Sequence, residues 1–442
     1  MTDLMTKNKK CLELQEKAVK LIPGMTQLLS KRPDRYSRGV WPTYFKEAHG
    51  VEVTDLDDNK YLDFSIGGVG ATVLGYADED VDNAVIDAIK RGSASTLNPA
   101  EEVLLAEKLV ELHPWADMAR FARGGGEAMS IAVRIARVAT KKEVIVFCGY
   151  HGWCDWYLAA NLGKKDALDD QWIAGLNPAG VPKGLTGTAI PFYFNDIESF
   201  HAALEKAGDN LAAVVMEPIR NFEPTREFMD SVHAAVAEKN VPFIMDEITA
   251  AFRMCNGGAH LKLGWKPDIA VFSKALGNGF PSSAVIGKKK FMDFAQDAFI
   301  TSTNWTERIG SVAALAMIDK FIKVDASTHM LKISSMVWDI WEKTAEKYGL
   351  KIHIGGFKPL IHFSFEENHA VNIAYFTQEM LKKDFLAGGG FYAMYAHTED
   401  DVRKYEKAFD EVFGKLAVLI KEGTVESHLN GLPAASGFAR VN

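Results

Sequence analysis

Short apolar runs that end abruptly in polar or charged residues recur along this chain, at 143–147, 211–216, 242–245 and 269–272. Runs of this length, apolar on both faces, are the pattern of strands buried in a parallel sheet. Helical periodicity fills the intervals. Ala128, Ile131, Ala132 and Ile135 recur at i, i+3, i+4 and i+7, and Phe228, Val232, Ala235 and Val236 share one face of a segment at 228–240. Strand, helix and strand in succession predict an α/β fold with a mostly parallel sheet.

The two ends of the chain follow other patterns. Residues 1–30 read as a helix or arm, with Leu12, Leu14, Ala18, Leu21 and Ile22 giving an imperfect apolar stripe. Residues 44–64 read as short strands joined by a turn at Asp57, Asp58 and Asn59. Val402, Tyr405, Phe409, Val412, Phe413 and Leu416 make an amphipathic helix near the end, within a smaller α+β region that starts at about Phe321. The segment 160–190 has no clear period and carries glycine and proline throughout, so it reads as a long loop.

A chain of 442 residues exceeds one ordinary core and predicts two or three domains. Its formal net charge of −8 is spread without an acidic or basic block, which argues against a nucleic-acid or membrane partner. The four cysteines, Cys11, Cys148, Cys154 and Cys255, form no CxxC pair, so neither a metal site nor a disulfide framework is expected. No apolar leader and no eighteen-residue apolar window is present, and a cytoplasmic location is the simplest expectation.

The ends of the apolar runs carry the candidate chemistry. The run at 242–245 stops at Asp246 and Glu247, and the run at 269–272 stops at Ser273 and Lys274. Open α/β sheets place ligands beyond the carboxyl ends of their strands, so Asp246 and Lys274 can face one crevice. An acid and an amine there suit pyridoxal phosphate: the lysine forms a Schiff base with its aldehyde, and the carboxylate keeps its pyridine nitrogen protonated. The plainer alternatives are a solvated surface lysine and a helix-capping aspartate.

Gly124, Gly125 and Gly126 open the helix that begins near Ala128, which leaves backbone N–H groups and the positive helix end where a phosphate can dock. A simple glycine turn is the other reading. The segment 31–41 is rich in arginine and aromatic residues; it is either a surface loop or the place where Arg32, Arg35 or Arg38 clamps a substrate carboxylate.

The block DEITAAFR followed by PDIAVFSKALGNGFPSSAVIG resembles the cofactor-lysine signature of class III, fold-type I pyridoxal-phosphate aminotransferases, most of all the glutamate-1-semialdehyde aminomutase-like branch. The resemblance implies a large cofactor domain over 66–320, an N-terminal arm and small sheet over 1–65, and a C-terminal small domain over 321–442. It implies that Lys274 is the Schiff-base lysine, Asp246 the pyridine partner, and Ile248 a cofactor contact. Gly125 and Gly126 take the phosphate, Tyr150 stacks on the ring, and Glu217 supports the cofactor by hydrogen bonding. Thr303 falls on the threonine that binds the phosphate of the neighbouring subunit, which implies a homodimer with shared sites. Asn221 is offset by about one residue from the aminomutase pattern and is left unassigned, and His151 can equally be structural.

Departures from the pattern are visible. Glycines replace the usual serine and threonine before Glu127, the glycine-rich stretch 65–70 lacks the aminomutase tryptophan, and Glu307 and Arg308 replace an asparagine–proline pair. The expected activity is amino transfer between small-molecule amines and carbonyl compounds through Lys274. An intramolecular aminomutase using the same residues, a racemase or decarboxylase with different proton placement around the same lysine, and a non-catalytic ligand-binding protein on the same fold are the alternatives.

Overall fold

The computed structural model describes residues 3–171 and 173–438, which form two compact units. One unit comprises residues 1–78 and 328–442, the other 79–327. The first unit therefore joins the N- and C-terminal segments, and its boundaries fall beyond the expected 65/66 and 320/321. The physical reason at the first boundary is hydrogen bonding: Tyr395 N donates to Val73 O and Ala396 N to Leu74 O, which ties 66–78 to the C-terminal segment.

In that unit β1 (Phe45–His49), β2 (Glu52–Asp55) and β3 (Lys60–Phe64) form the antiparallel meander expected from 44–64. The N-terminal helix Lys9–Leu21 turns a different face inward from the one its leucines mark. Cys11, Gln15 and Ala18 are buried, whereas Leu14 and Leu21 are exposed. Gln15 tolerates burial because its Nε2 donates to Trp41 O and Thr43 Oγ1.

The second unit is built on seven strands: β4 (Met118–Ala122), β5 (Val144–Cys148), β6 (Ala189–Pro191), β7 (Leu211–Met216), β8 (Phe243–Asp246), β9 (Ile269–Phe272) and β10 (Ser283–Gly287). Their order is β4-β10-β9-β8-β7-β5-β6, and only β10 runs against its neighbours. The four runs read from the sequence are β5, β7, β8 and β9, which lie side by side and are buried along their lengths. Register aligns their ends, since Cys148 pairs with Met216, Met216 with Met245 and Asp246 with Val271.

Helix Gly125–Thr140 packs Ala128, Ile131, Ala132 and Ile135 into the core beside this sheet. Helix Arg226–Lys239 starts where the Thr225 side chain accepts from Phe228 N, an ordinary N-cap. Most of 160–190 is irregular, as expected, but Leu168, Gln171 and Val181 are buried and pin it down.

The rest of the first unit follows. Strands β11 (Ile352–Phe357), β12 (Leu360–Phe365) and β14 (Gly390–Tyr392) form an antiparallel sheet, while β13 (Phe385–Ala387) adds parallel to β3. Helix Glu399–Glu422 is held by a capping box between Thr398 and Asp401 and stops at Gly423, whose φ is 69°. All six apolar residues that defined it in the sequence are buried.

One buried group links this packing to pH. His113 is fully buried, its Nδ1 bonded to Leu109 O at 2.7 Å while its Nε2 accepts from Gly258 N at 3.0 Å. Burial pushes its pKa down to about 4, with His260 adding to the effect. The unfolded chain therefore binds a proton that the folded chain refuses, and the stability held above the unfolded value is lost as pH falls from about 6.5 to 4, by up to about 3 kcal/mol. Denaturant titrations of the wild type and of His113→Gln across that range should show the wild type losing more; parallel losses would contradict the assignment.

Candidate active site

Each predicted strand-end group of the second unit stands where its strand stops. Asp246 closes β8 and is 3% exposed, an expensive place for a carboxylate unless it is paired. His151 provides the pair, with Nδ1 2.8 Å from Asp246 Oδ2 and Nε2 3.1 Å from Cys148 O. Both ring nitrogens of His151 are thereby engaged, one by the carboxylate and one by a backbone carbonyl. Asp246 Oδ1 accepts from Ile248 N at 3.0 Å. His151, left open in the sequence, is thus the group that fixes the aspartate.

Lys274 follows β9, the strand next to β8. Its φ is 39°, in the left-handed region that a lysine rarely adopts, so the surrounding fold holds the backbone there. Its Nζ donates to Thr249 Oγ1 at 2.9 Å. Burial pushes the amine down to about 8, and the Arg253 charge adds to this against the opposing pull of Glu217 and Asp246.

Past β5 and β7 the chain makes a second paired acid. Glu217 Oε2 accepts from Tyr150 N at 3.1 Å and from Arg220 Nε at 2.7 Å. The intervening Gly149 has φ 110°, and a Cβ there would overlap Glu217 Oε2, so glycine is required. The Tyr150 phenol is pushed up by burial and by the Asp246 charge.

Gly125 and Gly126 begin the helix, and their N–H groups have no partner among the described residues. Glu127 Oε2 takes the Gly124 N–H at 3.0 Å. A Cβ at Gly125 would lie 2.9 Å from Ile248 Cδ1, and one at Gly126 would lie 3.3 Å from Trp153 Nε1. Gly125 and Ile248 therefore form one narrow cradle, which joins two stretches of sequence that the resemblance assigned separately, while Gly126 faces Trp153.

Other assignments fall elsewhere. Thr303 starts a short exposed turn, its carbonyl accepting from Thr306 Oγ1 at 2.9 Å. Arg32, Arg35 and Arg38 belong to the first unit. There Arg32 pairs with Asp34, Arg35 Nη1 donates to the carbonyls of Ala435 and Gly437, and Arg38 is exposed.

Several residues near the site were not assigned from the sequence. Thr249 and Arg253 lie inside the DEITAAFR block, but only its first and third positions carry family roles in that reading. Gln171, in the loop given no role, accepts from Gly149 N at 2.8 Å and donates to Phe192 O at 3.1 Å. Glu247, fully buried, accepts from Ala259 N, His260 N and His260 Nδ1, which makes it a structural anchor. No residue-type signal separates such partners from ordinary loop residues; only their three-dimensional placement does.

Residues 35–388 match the family Aminotransferase class-III. The chain belongs to the class III aminotransferases. It is 29% identical over 428 residues to the 3-aminobutyryl-CoA aminotransferase of Cloacimonas acidaminovorans (strain Evry), covering 92% of this chain and 98% of that one. It is 30% identical over 422 residues to the glutamate-1-semialdehyde 2,1-aminomutase of Francisella philomiragia, covering 88% and 95%. Among solved structures, the FumI protein of Sphingopyxis sp. MTA144 in a PLP-carrying form aligns with a TM-score of 0.84 at 23% identity, over 97% of this chain and 99% of that one. The fold is fold-type I, and this class III aminotransferase is an enzyme of pyridoxal-phosphate-dependent amino-group transfer.

The residues present fit that cofactor. A buried, paired carboxylate, an amine of depressed basicity on the next strand, and unpartnered N–H groups at a helix start offer partners for its ring nitrogen, aldehyde and phosphate. Replacing Gly125 with valine would crowd Ile248 and close the cradle. Gly125→Val should weaken pyridoxal-phosphate binding about tenfold or more, read by equilibrium dialysis; unchanged affinity would remove Gly125 from the site.

Proposed function

We propose that this class III aminotransferase moves an amino group between two small molecules, with Lys274 as its reacting amine. The observation that carries this is the pairing of Asp246 with His151 at the end of β8, next to the strand that delivers the half-buried Lys274. Bound pyridoxal phosphate would supply an aldehyde that accepts the amino group and a ring that draws electron density from the substrate carbon.

The chain's own residues do the rest. Lys274 Nζ would hold the cofactor, and as a neutral amine it would take the proton from the substrate carbon and give it up on the cofactor side. An amine pushed down to about 8 is partly neutral near physiological pH, as a general base needs. Asp246 would face the ring nitrogen, and His151 holds Asp246 in place. Gly125 and Gly126 would offer their N–H groups to the phosphate, Ile248 and Tyr150 would bound the ring, and Glu217 fixes Tyr150 through its backbone.

The enzyme is read as a homodimer in which Thr303 of a second copy completes the phosphate site. Support comes from the exposure of Thr303. A cytoplasmic location is inferred from four cysteines without a disulfide, and no helix among the described residues is long and apolar enough to cross a membrane. A carboxylate-bearing donor is inferred from the 31–41 segment, where Arg38 is the exposed arginine of the three.

An aminomutase would use the same residues but keep the diamine bound. Absorption spectra of the loaded enzyme, recorded with single amines and no acceptor, separate the readings. For a transaminase, the visible band of the lysine-bound cofactor disappears and keto product accumulates in an amount equal to the cofactor. Bleaching without released keto product favours the aminomutase, and a protein that forms no band with pyridoxal phosphate is not using this site.

A further inference from the structure

The turn that follows β8 presents more than Asp246 to the site. Its backbone N–H groups donate in succession: Ile248 N to Asp246 Oδ1 at 3.0 Å, Ala251 N to Glu247 O at 2.9 Å, and Phe252 N to Gly257 O at 2.8 Å. Arg253, 1% exposed, donates from Nε to Thr249 O at 3.3 Å. Fully buried Glu247 pins the same turn to 259–260. Thr249 is therefore held by its backbone, and its hydroxyl meets Lys274 Nζ at 2.9 Å.

Resting on the reading of Lys274 as the reacting amine, we propose that Thr249 is its positioning residue. A threonine hydroxyl is both donor and acceptor. It accepts from the ammonium, and it donates to the lone pair of the neutral amine, so the nitrogen has a partner in the same place in both protonation states. A lysine carries four rotatable carbons, and burial alone would leave its tip free to turn. The hydroxyl removes that freedom where a near-attack geometry is needed.

The charged groups facing the amine are Arg253 and Arg220, which disfavour its proton, and Glu217 and Asp246, which favour it. Hydrogen bonds to ionised groups are stronger than those between neutral ones, so the hydroxyl helps the ammonium more than the amine. Removing it should lower the basicity of Lys274 further.

The test uses the full-length chain stripped of cofactor and reloaded with pyridoxal phosphate across neutral to alkaline pH, following the rise of the visible band. The loading rate of the wild type should climb with pH to a midpoint of about 8, as the amine loses its proton. Thr249→Val, of the same shape without the hydroxyl, should move that midpoint down by about half to one pH unit. With an amine donor it should lower kcat about tenfold while KM changes little, because the hydroxyl touches the lysine and not the substrate. Thr249→Ser should keep the wild-type midpoint and most of kcat. Thr249→Ala repeats the experiment should valine not fold.

Lys274→Ala separates the two ideas. If it still forms the lysine-bound band, the reading of the site fails. If it loses the band while the valine and alanine variants match the wild type in midpoint and kcat, the site stands and the role of Thr249 is overturned. Loss in the serine variant equal to that in valine also overturns it, since shape and not the hydroxyl would then be at work.

Discussion

A carboxylate that ends an apolar strand deep in a sheet is stable only if something nearby answers its charge, and the Asp246–His151 contact is that answer. Strand β5 and the Gly149 turn bring the histidine over β7 to reach it, and the Cys148 carbonyl holds its far nitrogen. The geometry of the site follows from this pair. Asp246 orders the next turn through Ile248 N, that turn carries Ile248 to the glycine cradle and Thr249 to Lys274, and Glu217 performs a similar service for Tyr150.

Electrostatics divides the labour among these groups. Asp246 and Glu217 are each held by a named partner, His151 and Arg220. Lys274 has a neutral hydroxyl as its hydrogen-bond partner and two guanidinium groups acting against its proton. The acids are thus held in place by partners while the amine is poised to exchange a proton near neutrality, as acid–base catalysis requires.

Much of this was legible in the sequence because burial leaves a plain mark. Continuous apolar runs located β5, β7, β8 and β9, and the residue at which each run broke off named Glu217, Asp246 and Lys274. The helix after the glycines and the one at 399–422 were legible for the same reason, a steady apolar period. Three things were not. The inward face of Lys9–Leu21 depends on Gln15 finding backbone acceptors, which periodicity does not register. The boundary at 78/79 depends on hydrogen bonds to residues more than three hundred positions away. His151, Thr249, Arg253 and Gln171 act through partners distant in sequence or through a single hydroxyl, and polar residues in loops look alike until folding brings them together.

The account stands on one covalent attachment. The loaded protein can be reduced with borohydride, digested and mapped by mass spectrometry to find the residue that carries the cofactor. The added mass is expected on the peptide containing Lys274 and on no other, in near-stoichiometric yield. The same mass on a different lysine, or on none, would contradict it.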